Sequence, residues 1–160
     1  MKTLFESLID RRITVATAES CTGGNIAASF VAYPGISDVF LAGLVTYANS
    51  AKEQVLGVEK RVLDRFGAVS YECAFQMLAG ARRVSGADAA VCTTGIAGPG
   101  GGSKEKPVGL VYVGVSCQQK SIVEKCCFSG TRQEIIRQAT DRALLLLDKQ
   151  IKQNGGDQDG

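Results

Sequence analysis

The sequence predicts an α/β fold: a single three-layer domain in which a central mixed sheet of about five strands is flanked by helices. The chain has 160 residues, of which 45% are hydrophobic, and this is enough for one domain with a substantial core. Buried strand patterns alternate along it with amphipathic helix patterns. Two of the strands lead directly into glycine-rich polar turns, the kind of junction at which α/β proteins bind ligands.

The first part of the chain alternates helix and strand patterns. Residues 2–10 predict a short amphipathic helix, and residues 13–18 predict a buried strand. Residues 25–32 carry apolar side chains on one helical stripe, which Tyr33-Pro34-Gly35 ends. The apolar run 39–48 has the length and composition of a strand. A strand, a glycine-rich turn and a helix are therefore expected in succession.

Three helices are predicted in the middle of the chain. Asn49 or Ser50 can cap a helix that continues through Leu56. A short helix over about 59–66 follows, and Ser70 then caps a longer helix with apolar residues at i, i+3 and i+4 spacing. We expect the last two helices to be scaffold.

The remaining strands lie in the second half of the chain. Residues 89–94 predict a buried strand that leads into the glycine-rich turn 95–103. Residues 108–117 and 120–128 predict a hairpin, because only the polar pair Gln118-Gln119 separates them. The hairpin is antiparallel, so a mixed sheet is expected.

A last helix precedes a polar C-terminal segment. Thr131 and Glu134 have the spacing of a capping box, and apolar residues then recur on one face as far as Ile151. The residues after this helix offer nothing apolar to bury. The sequence therefore predicts one domain over residues 1–153 and a disordered tail over 154–160.

Composition excludes several classes of protein. Because there is no histidine, a Ser-His-Asp or Cys-His enzyme is excluded. The net charge is only +2, and the basic residues are scattered along the chain, so the sequence indicates no nucleic-acid partner. No apolar stretch is long enough for a membrane span, and early charged residues break any signal-peptide pattern, so a cytoplasmic location is expected. The six cysteines form no CxxC pair and are expected to be free thiols in a reducing compartment.

Ser20 is the first candidate functional residue, in the segment Ser20-Cys21-Thr22-Gly23-Gly24. The glycines allow close backbone approach of a ligand, and the following helix is expected to direct its free N–H groups at Ser20. A nucleophile or an anion would be stabilised there. An ordinary N-cap with tight helix–sheet packing would use the same residues. Neither the dinucleotide fingerprint nor the P-loop is present.

Lys52 is the candidate general base. In the first turn of its helix the dipole disfavours a cation, and burial would lower its pKa further. A neutral amine beside a serine hydroxyl is a general base that needs no histidine. Tyr47, near the end of the preceding strand, is placed to direct its hydroxyl into the same space. A solvated surface lysine and a tyrosine at the rim of the core are the alternatives.

The second glycine-rich turn is a candidate ligand cradle. Residues 93–103 contain five glycines, a density that special backbone angles or close ligand contact would explain. Its amides and the Thr94 hydroxyl suit a phosphate or the sugar of a nucleotide. Arg132, near the start of the last helix, could add a guanidinium. A flexible lid or a subunit contact would have the same glycine-rich composition. The alternative for Arg132 is an exposed arginine in the first turn of its helix.

Five motifs occur in a specific order along the chain: Ala18-Glu19-Ser20-Cys21-Thr22-Gly23-Gly24, Thr46-Tyr47 with Lys52, Gly67-Ala68-Val69-Ser70, Thr94-Gly95-Ile96-Ala97-Gly98-Pro99-Gly100-Gly101 and Lys106-Pro107-Val108-Gly109. Together they resemble the CinA C-terminal domain family over about residues 5–150. The resemblance implies a cytoplasmic bacterial amidohydrolase that converts nicotinamide mononucleotide to nicotinic acid mononucleotide and ammonia. It also implies a serine nucleophile and a lysine base, which the motifs place at Ser20 and Lys52.

This resemblance leads to an expected mechanism. Lys52 takes the proton of Ser20, Ser20 Oγ attacks the carboxamide carbon, and N–H groups of Thr22-Gly23-Gly24 stabilise the oxyanion. Tyr47 orients the pair, and no metal or cofactor is expected. Thr94, the amides of the second glycine-rich turn and Arg132 would hold the ribose and the 5′-phosphate. Besides Thr22, Gly23 and Gly24, the expected substrate-binding residues are Cys21, Thr94, Gly95, Gly98, Gly100 and Arg132.

Other functions are also compatible with these residues. A non-catalytic nucleotide-binding or regulatory module would keep the glycine-rich turns, and a hydrolase of another small amide would keep the Ser/Lys pair. Cys21 is an alternative nucleophile, because a thiolate is favoured at a helix start. A homo-oligomer is expected, with a dimer favoured by the resemblance. The longer members of the family carry a further N-terminal domain, so this chain is expected to be a stand-alone form.

Overall fold

A five-stranded sheet forms the middle layer of the structure, a computed structural model that describes residues 1–156. Its strands are β1 (Val15–Glu19), β2 (Phe40–Val45), β3 (Ala89–Gly95), β4 (Leu110–Cys117) and β5 (Lys120–Cys127). They lie in the order β2-β1-β3-β4-β5. β1 is parallel to β2 and β3, whereas β4 is antiparallel to β3 and β5. The predicted mixed sheet is confirmed.

Six helices cover the sheet within the described residues. They are α1 (Leu4–Arg11), α2 (Asn25–Val31), α3 (Asn49–Leu56), α4 (Lys60–Phe66), α5 (Tyr71–Ser85) and α6 (Arg132–Gly156). The core side chains of α1, α2 and α6 pack on one face of the sheet. Those of α3, α4 and α5 pack on the other face. This confirms the predicted three-layer α/β fold.

The carboxyl ends of β1, β2 and β3 lie at one edge of the sheet, because the three strands are parallel. Glu19, the last residue of β1, pairs with Val45 of β2 and with Thr93 of β3. The residues that follow, Ser20 and Thr46 among them, therefore leave the sheet side by side. Ligands of open α/β sheets bind at this edge.

Two helix starts have the caps that the sequence predicts. Ser70 Oγ accepts a hydrogen bond of 3.1 Å from the backbone N–H of Cys73 at the start of α5. At the start of α6, Thr131 Oγ1 accepts from Glu134 N–H at 3.3 Å, and the Glu134 carboxylate accepts from Thr131 N–H at 3.2 Å. These side chains satisfy amides that have no partner inside the helix.

The start of α3 differs from the prediction. Neither Asn49 nor Ser50 is the N-cap, because both already lie within the helix, and the cap is the extended residue Ala48. Its carbonyl accepts the first helical bond, from Lys52 N–H at 3.1 Å. The preceding strand ends at Val45, three residues before the end of the predicted run 39–48. Lys52 nevertheless lies in the first turn, as expected.

Helix α6 is the longest in the described part of the chain, with 25 residues. It includes residues 154–156 of the predicted tail. Residues 157–160 lie outside the described part of the chain, so the expected disorder of the tail stays a prediction. None of the helices within residues 1–156 has both the length and the apolarity to cross a bilayer.

A close backbone contact holds α3, which carries Lys52, against α5. A Cβ atom added at Gly80 of α5 would lie 2.0 Å from the carbonyl oxygen of Leu56, the last residue of α3. No side chain can occupy this space, so only glycine allows the two helices to approach so closely. The position of Lys52 depends on this contact.

We predict that Gly80→Ala lowers the free energy of unfolding by about 1–3 kcal/mol, because the methyl group forces α3 and α5 apart. Alanine is the better helix former, so propensity alone would give the opposite sign. Urea denaturation measures the change. The control is Gly100→Ala, whose Cβ would meet no atom within 4 Å. Unchanged or higher stability of Gly80→Ala would show that the contact does not constrain α3.

Candidate active site

A cleft of about 260 Å³ opens at the carboxyl edge of the sheet. The turn after β1, the β2–α3 loop, the α4–α5 loop, the β3–β4 loop and the start of α6 form its walls. The predicted site residues that line it are Ser20, Cys21, Tyr47, Lys52, Thr94, Gly95, Gly98, Gly100 and Arg132. Most of the predicted residues, far apart in the sequence, are thus brought together.

Lys52 and Ser20 are in direct contact inside this cleft. Lys52 Nζ lies 3.0 Å from Ser20 Oγ, 2.7 Å from the carbonyl oxygen of Thr46 and 3.2 Å from that of Tyr47. Both side chains are buried, with Lys52 only 1% exposed and Ser20 7% exposed. The amine therefore has three oxygen neighbours and almost no contact with solvent.

The identity of these neighbours suits a neutral amine that accepts the serine proton. Carbonyl oxygens only accept hydrogen bonds, so Thr46 and Tyr47 can take the two N–H donors of a neutral amine. The nitrogen lone pair is then left for the hydroxyl of Ser20. A charged ammonium would instead donate to all three oxygens, so the pKa of Lys52 decides which state is present.

Burial lowers the pKa of Lys52, because a charged amine loses its hydration there. Only negative charge on Cys73 and Cys21 would raise this pKa. Burial raises the pKa of both thiols to about 11, so they stay protonated and uncharged at neutral pH. The opposing effect is therefore absent near pH 7, and burial shifts the equilibrium of Lys52 toward its neutral form.

Glu19, the residue before Ser20, is a buried carboxylate for which the sequence predicted no role. Its two oxygens accept hydrogen bonds from the backbone N–H groups of Ile26 at 2.9 Å and Ala27 at 3.0 Å, and from the hydroxyl of Thr22 at 2.6 Å. It is completely buried. Glu19 thus neutralises the positive end of α2 from a strand outside the helix. An acidic residue at the end of a buried strand is the sequence signal that could have identified it.

The glycine turn after Ser20 does not have the expected role in the cleft. Thr22, Gly23 and Gly24 are not among the residues that line it. Gly23 N–H donates to the carbonyl of Ser20 at 3.1 Å, so this amide is already used in closing the turn. The free N–H groups of α2 point at Glu19 rather than at Ser20, because a carboxylate binds them more strongly than a neutral hydroxyl.

Side chains fix the loops opposite Ser20 and Lys52. Thr94 Oγ1 donates to the carbonyl of Ala68 at 2.9 Å, and Lys106 Nζ donates to the carbonyl of Phe66. These bonds join the β3–β4 loop to the α4–α5 loop, which lines the cleft through Ala68 and Val69. Because its proton is used, the Thr94 hydroxyl offers a ligand an acceptor, which suits a ribose hydroxyl better than a phosphate.

Tyr47 and Arg132 meet at the mouth of the cleft. Tyr47 is 63% exposed, and its hydroxyl accepts a hydrogen bond of 3.1 Å from Arg132. A second guanidinium nitrogen of Arg132 donates to the carbonyl of Gly98 at 2.6 Å. Tyr47 therefore contacts Lys52 through its backbone carbonyl and not through its hydroxyl, which positions Arg132 instead.

The matching family model identifies the chain. The model of the CinA C-terminal domain matches residues 1–151. The chain belongs to this CinA family. Among curated CinA relatives, a competence-damage inducible protein of Clostridium beijerinckii is 51% identical over 140 residues, which are 88% of this chain and 34% of that protein. One from Clostridioides difficile is 50% identical over 133 residues, which are 83% of this chain and 32% of that protein. The chain spans about a third of the length of these relatives.

Solved CinA structures have the same fold. A CinA superfamily protein from Klebsiella pneumoniae superposes with a TM-score of 0.90 at 33% identity, covering 94% of both chains. The competence/damage inducible protein CihA from Agrobacterium tumefaciens gives a TM-score of 0.85 at 43% identity, covering 90% of this chain and 91% of that one. The arrangement of strands around the cleft is therefore that of the CinA domain.

The cysteines of this CinA domain are all free thiols. Within residues 1–156, no cluster of side chains suits a metal ion. Cys21 lines the cleft, but the raised pKa keeps its thiol protonated at neutral pH. The site therefore does not activate Cys21, the alternative nucleophile, whereas it places the Lys52 amine directly beside Ser20.

We predict that Glu19→Gln lowers the free energy of unfolding of the CinA domain by about 2 kcal/mol, because the amide loses the charge and one acceptor that hold the start of α2. Thermal and urea denaturation measure the loss. The matched control is Glu6→Gln, which alters a half-exposed carboxylate in the cap of α1 and should change stability by at most about 1 kcal/mol. Equal effects of the two substitutions would contradict the assigned role of Glu19.

Proposed function

We propose that this CinA domain is an amidohydrolase that converts nicotinamide mononucleotide to nicotinic acid mononucleotide and ammonia. The 3.0 Å contact between Lys52 Nζ and Ser20 Oγ carries the proposal, because it pairs a hydroxyl nucleophile with a buried amine of lowered pKa. The resemblance to the CinA family supplies the substrate. We place the reaction in the cytoplasm, where free thiols remain reduced, and propose that the active form is a homo-oligomer.

The charges of the cleft support an anionic substrate. Among the described residues, no Asp or Glu lines it, while Arg132 adds a positive charge at its mouth. A guanidinium has five N–H donors, and the bonds of Arg132 to Tyr47 and Gly98 leave others for a phosphate. The acceptor oxygen of Thr94 suits a ribose hydroxyl. A mononucleotide with a carboxamide near Ser20 and its phosphate near Arg132 would use all of these groups.

Acylation is the first half of the proposed reaction. Neutral Lys52 takes the hydroxyl proton of Ser20 while Ser20 Oγ forms a bond to the carboxamide carbon. The carbonyl π electrons move to the oxygen, which becomes an oxyanion. When this intermediate collapses, the C–N bond breaks and the Lys52 ammonium gives its proton to the departing ammonia. A nicotinoyl ester on Ser20 and a neutral Lys52 remain.

Deacylation is the second half of the proposed reaction, in which water takes the place of Ser20 as the attacking group. Lys52 takes a proton from a water molecule as the water oxygen attacks the ester carbon. The C–O bond to Ser20 then breaks, and Lys52 returns the proton to Ser20 Oγ. The product is the carboxylic acid, which ionises at neutral pH. The enzyme recovers its starting state without a metal or a cofactor.

We predict that Ser20→Ala and Lys52→Met each lower the rate of ammonia release from nicotinamide mononucleotide by at least about 10³-fold, because each removes one half of the reacting pair. The half-buried Ser29 and the exposed Lys60, which both lie outside the cleft, provide the matched controls Ser29→Ala and Lys60→Met, which should keep the wild-type rate. Nicotinamide and its riboside, which lack the phosphate, should be poorer substrates.

Two results of this experiment would contradict the proposal. One is binding of the mononucleotide by the wild-type protein with no ammonia release, which is the behaviour of a non-catalytic nucleotide-binding module. The other is a retained rate in Ser20→Ala or Lys52→Met when circular dichroism shows a folded protein. A parallel Cys21→Ala variant should retain its rate, since the Cys21 thiol is protonated at neutral pH.

We predict that kcat/KM rises with pH through the pKa of Lys52, because only the neutral amine accepts the serine proton. Burial lowers this pKa, so the midpoint should lie below the ordinary lysine value of about 10.4. Cys21→Ala and Cys73→Ala should show the same rise, which excludes thiol ionisation as its cause. A rate that falls over this range, or that first rises near the pKa of an exposed lysine, would contradict the assigned base.

A further inference from the structure

The ladder of hydrogen bonds between β1 and β3 ends at Ser20, whose N–H group still bonds to β3 while its carbonyl group does not. Ser20 N–H donates to the carbonyl of Thr93 at 3.1 Å, as in a regular parallel ladder. In such a ladder the same residue would then accept a bond from the residue two positions later on the neighbouring strand, which is Gly95. The carbonyl of Ser20 instead accepts from Gly23 N–H at 3.1 Å, because the chain turns there.

The amide of Gly95 is consequently left without an acceptor. Outside the regular ladders of the described strands, Gly95 N–H forms no backbone hydrogen bond, and in particular none to the carbonyl of Ser20. Its direction follows from its neighbours in the strand. Ile96 N–H donates to the carbonyl of Leu110 in β4 at 2.9 Å, and the Ile96 carbonyl accepts from the N–H of Gly109, just before β4, at 2.8 Å, while Thr93 accepts from Ser20. Because amides alternate sides along a strand, Gly95 N–H points toward Ser20, into the cleft that Gly95 lines.

Packing behind Gly95 fixes this direction. A Cβ atom added there would lie 2.6 Å from the carbonyl oxygen of Leu110 and 2.7 Å from the Cα of Val111. No side chain fits, so the backbone of β3 lies directly against β4. The amide is thus held by the ladder bonds on either side of it, and it need not reorganise when charge develops nearby.

We propose that Gly95 N–H donates a hydrogen bond to the oxyanion that forms when Ser20 attacks a carbonyl carbon. This assignment rests on the proposed acyl transfer and replaces the turn Thr22-Gly23-Gly24 expected from the sequence. A half-buried backbone donor next to the proposed nucleophile stabilises the negative oxygen without adding a charge to the free enzyme. It also assigns a function to an N–H group that has lost its regular acceptor, the carbonyl of Ser20, in the ladder between β1 and β3.

Replacing the peptide N–H of Gly95 by an ester oxygen tests the proposal, because it removes the donor and adds no side chain. The full chain can be assembled by chemical ligation, with glycolic acid at position 95. The matched control carries the same ester at Gly24, in the turn that does not line the cleft. The readouts are acetylation of Ser20 by p-nitrophenyl acetate, followed by mass spectrometry, and ammonia release from nicotinamide mononucleotide.

We expect the ester at Gly95 to slow both reactions by about 10²-fold and the ester at Gly24 to leave them within a few fold of the all-amide protein. An unchanged rate with the ester at Gly95, or an equal loss with the ester at Gly24, overturns the proposal. If the all-amide protein releases no ammonia from the nucleotide, while acetylation of Ser20 still needs Gly95 N–H, the proposed substrate is wrong and the oxyanion donor stands. No acetylation of Ser20 in the all-amide protein overturns both.

A second measurement on the unmodified backbone covers the case in which the ester protein does not fold. With ¹⁵N-labelled glycine, a fluorophosphonate adduct of Ser20 places a polar phosphoryl oxygen where the oxyanion would form. The Gly95 amide proton should move downfield on adduct formation, because it enters a hydrogen bond to the strongly polar phosphoryl oxygen. A shift confined to Gly23 and Gly24, or an unmodified Ser20, counts against the proposal.

Discussion

The burial of one lysine amine determines the chemistry available to this CinA domain. Lys52 Nζ is enclosed by Ser20 Oγ and two backbone carbonyl oxygens, and burial lowers its pKa. A charge in this position would lose most of its hydration. The carbonyls hold the amine in place but, unlike a carboxylate, carry no full negative charge. A hydroxyl can therefore be activated without histidine.

Two adjacent residues at the end of β1 have separate tasks. Successive side chains of a strand point to opposite faces of the sheet. Glu19 accordingly binds the start of α2 on one face, while Ser20 meets Lys52 of α3 on the other. The strand end is thus anchored by a buried carboxylate that takes no part in the proposed proton transfer. This anchoring holds Ser20, the proposed nucleophile, without adding negative charge to the cleft.

Much of the fold could be predicted because its signals are local. The caps at Ser70 and Thr131 depend on side chains three residues from their partners, and the strands depend on short apolar runs. The predicted start of α3 was wrong, because Asn49 and Ser50 are both residue types that favour the N-cap and the sequence does not show at which residue β2 ends. The role of Glu19 was missed for a similar reason, since its partners Ile26 and Ala27 are backbone amides.

The sequence by itself determined which groups were available: a serine and a lysine near strand ends, glycine-rich turns and no histidine. Only the tertiary structure decided which of these groups meet. Parallel pairing of β1 with β2 and β3 brings Ser20, Lys52 and Gly95 to one edge, although they are far apart in the chain. The structure also directed the α2 amides to Glu19 and left Gly95 N–H facing Ser20. Contacts between distant segments depend on strand order and helix packing, which local sequence patterns do not encode.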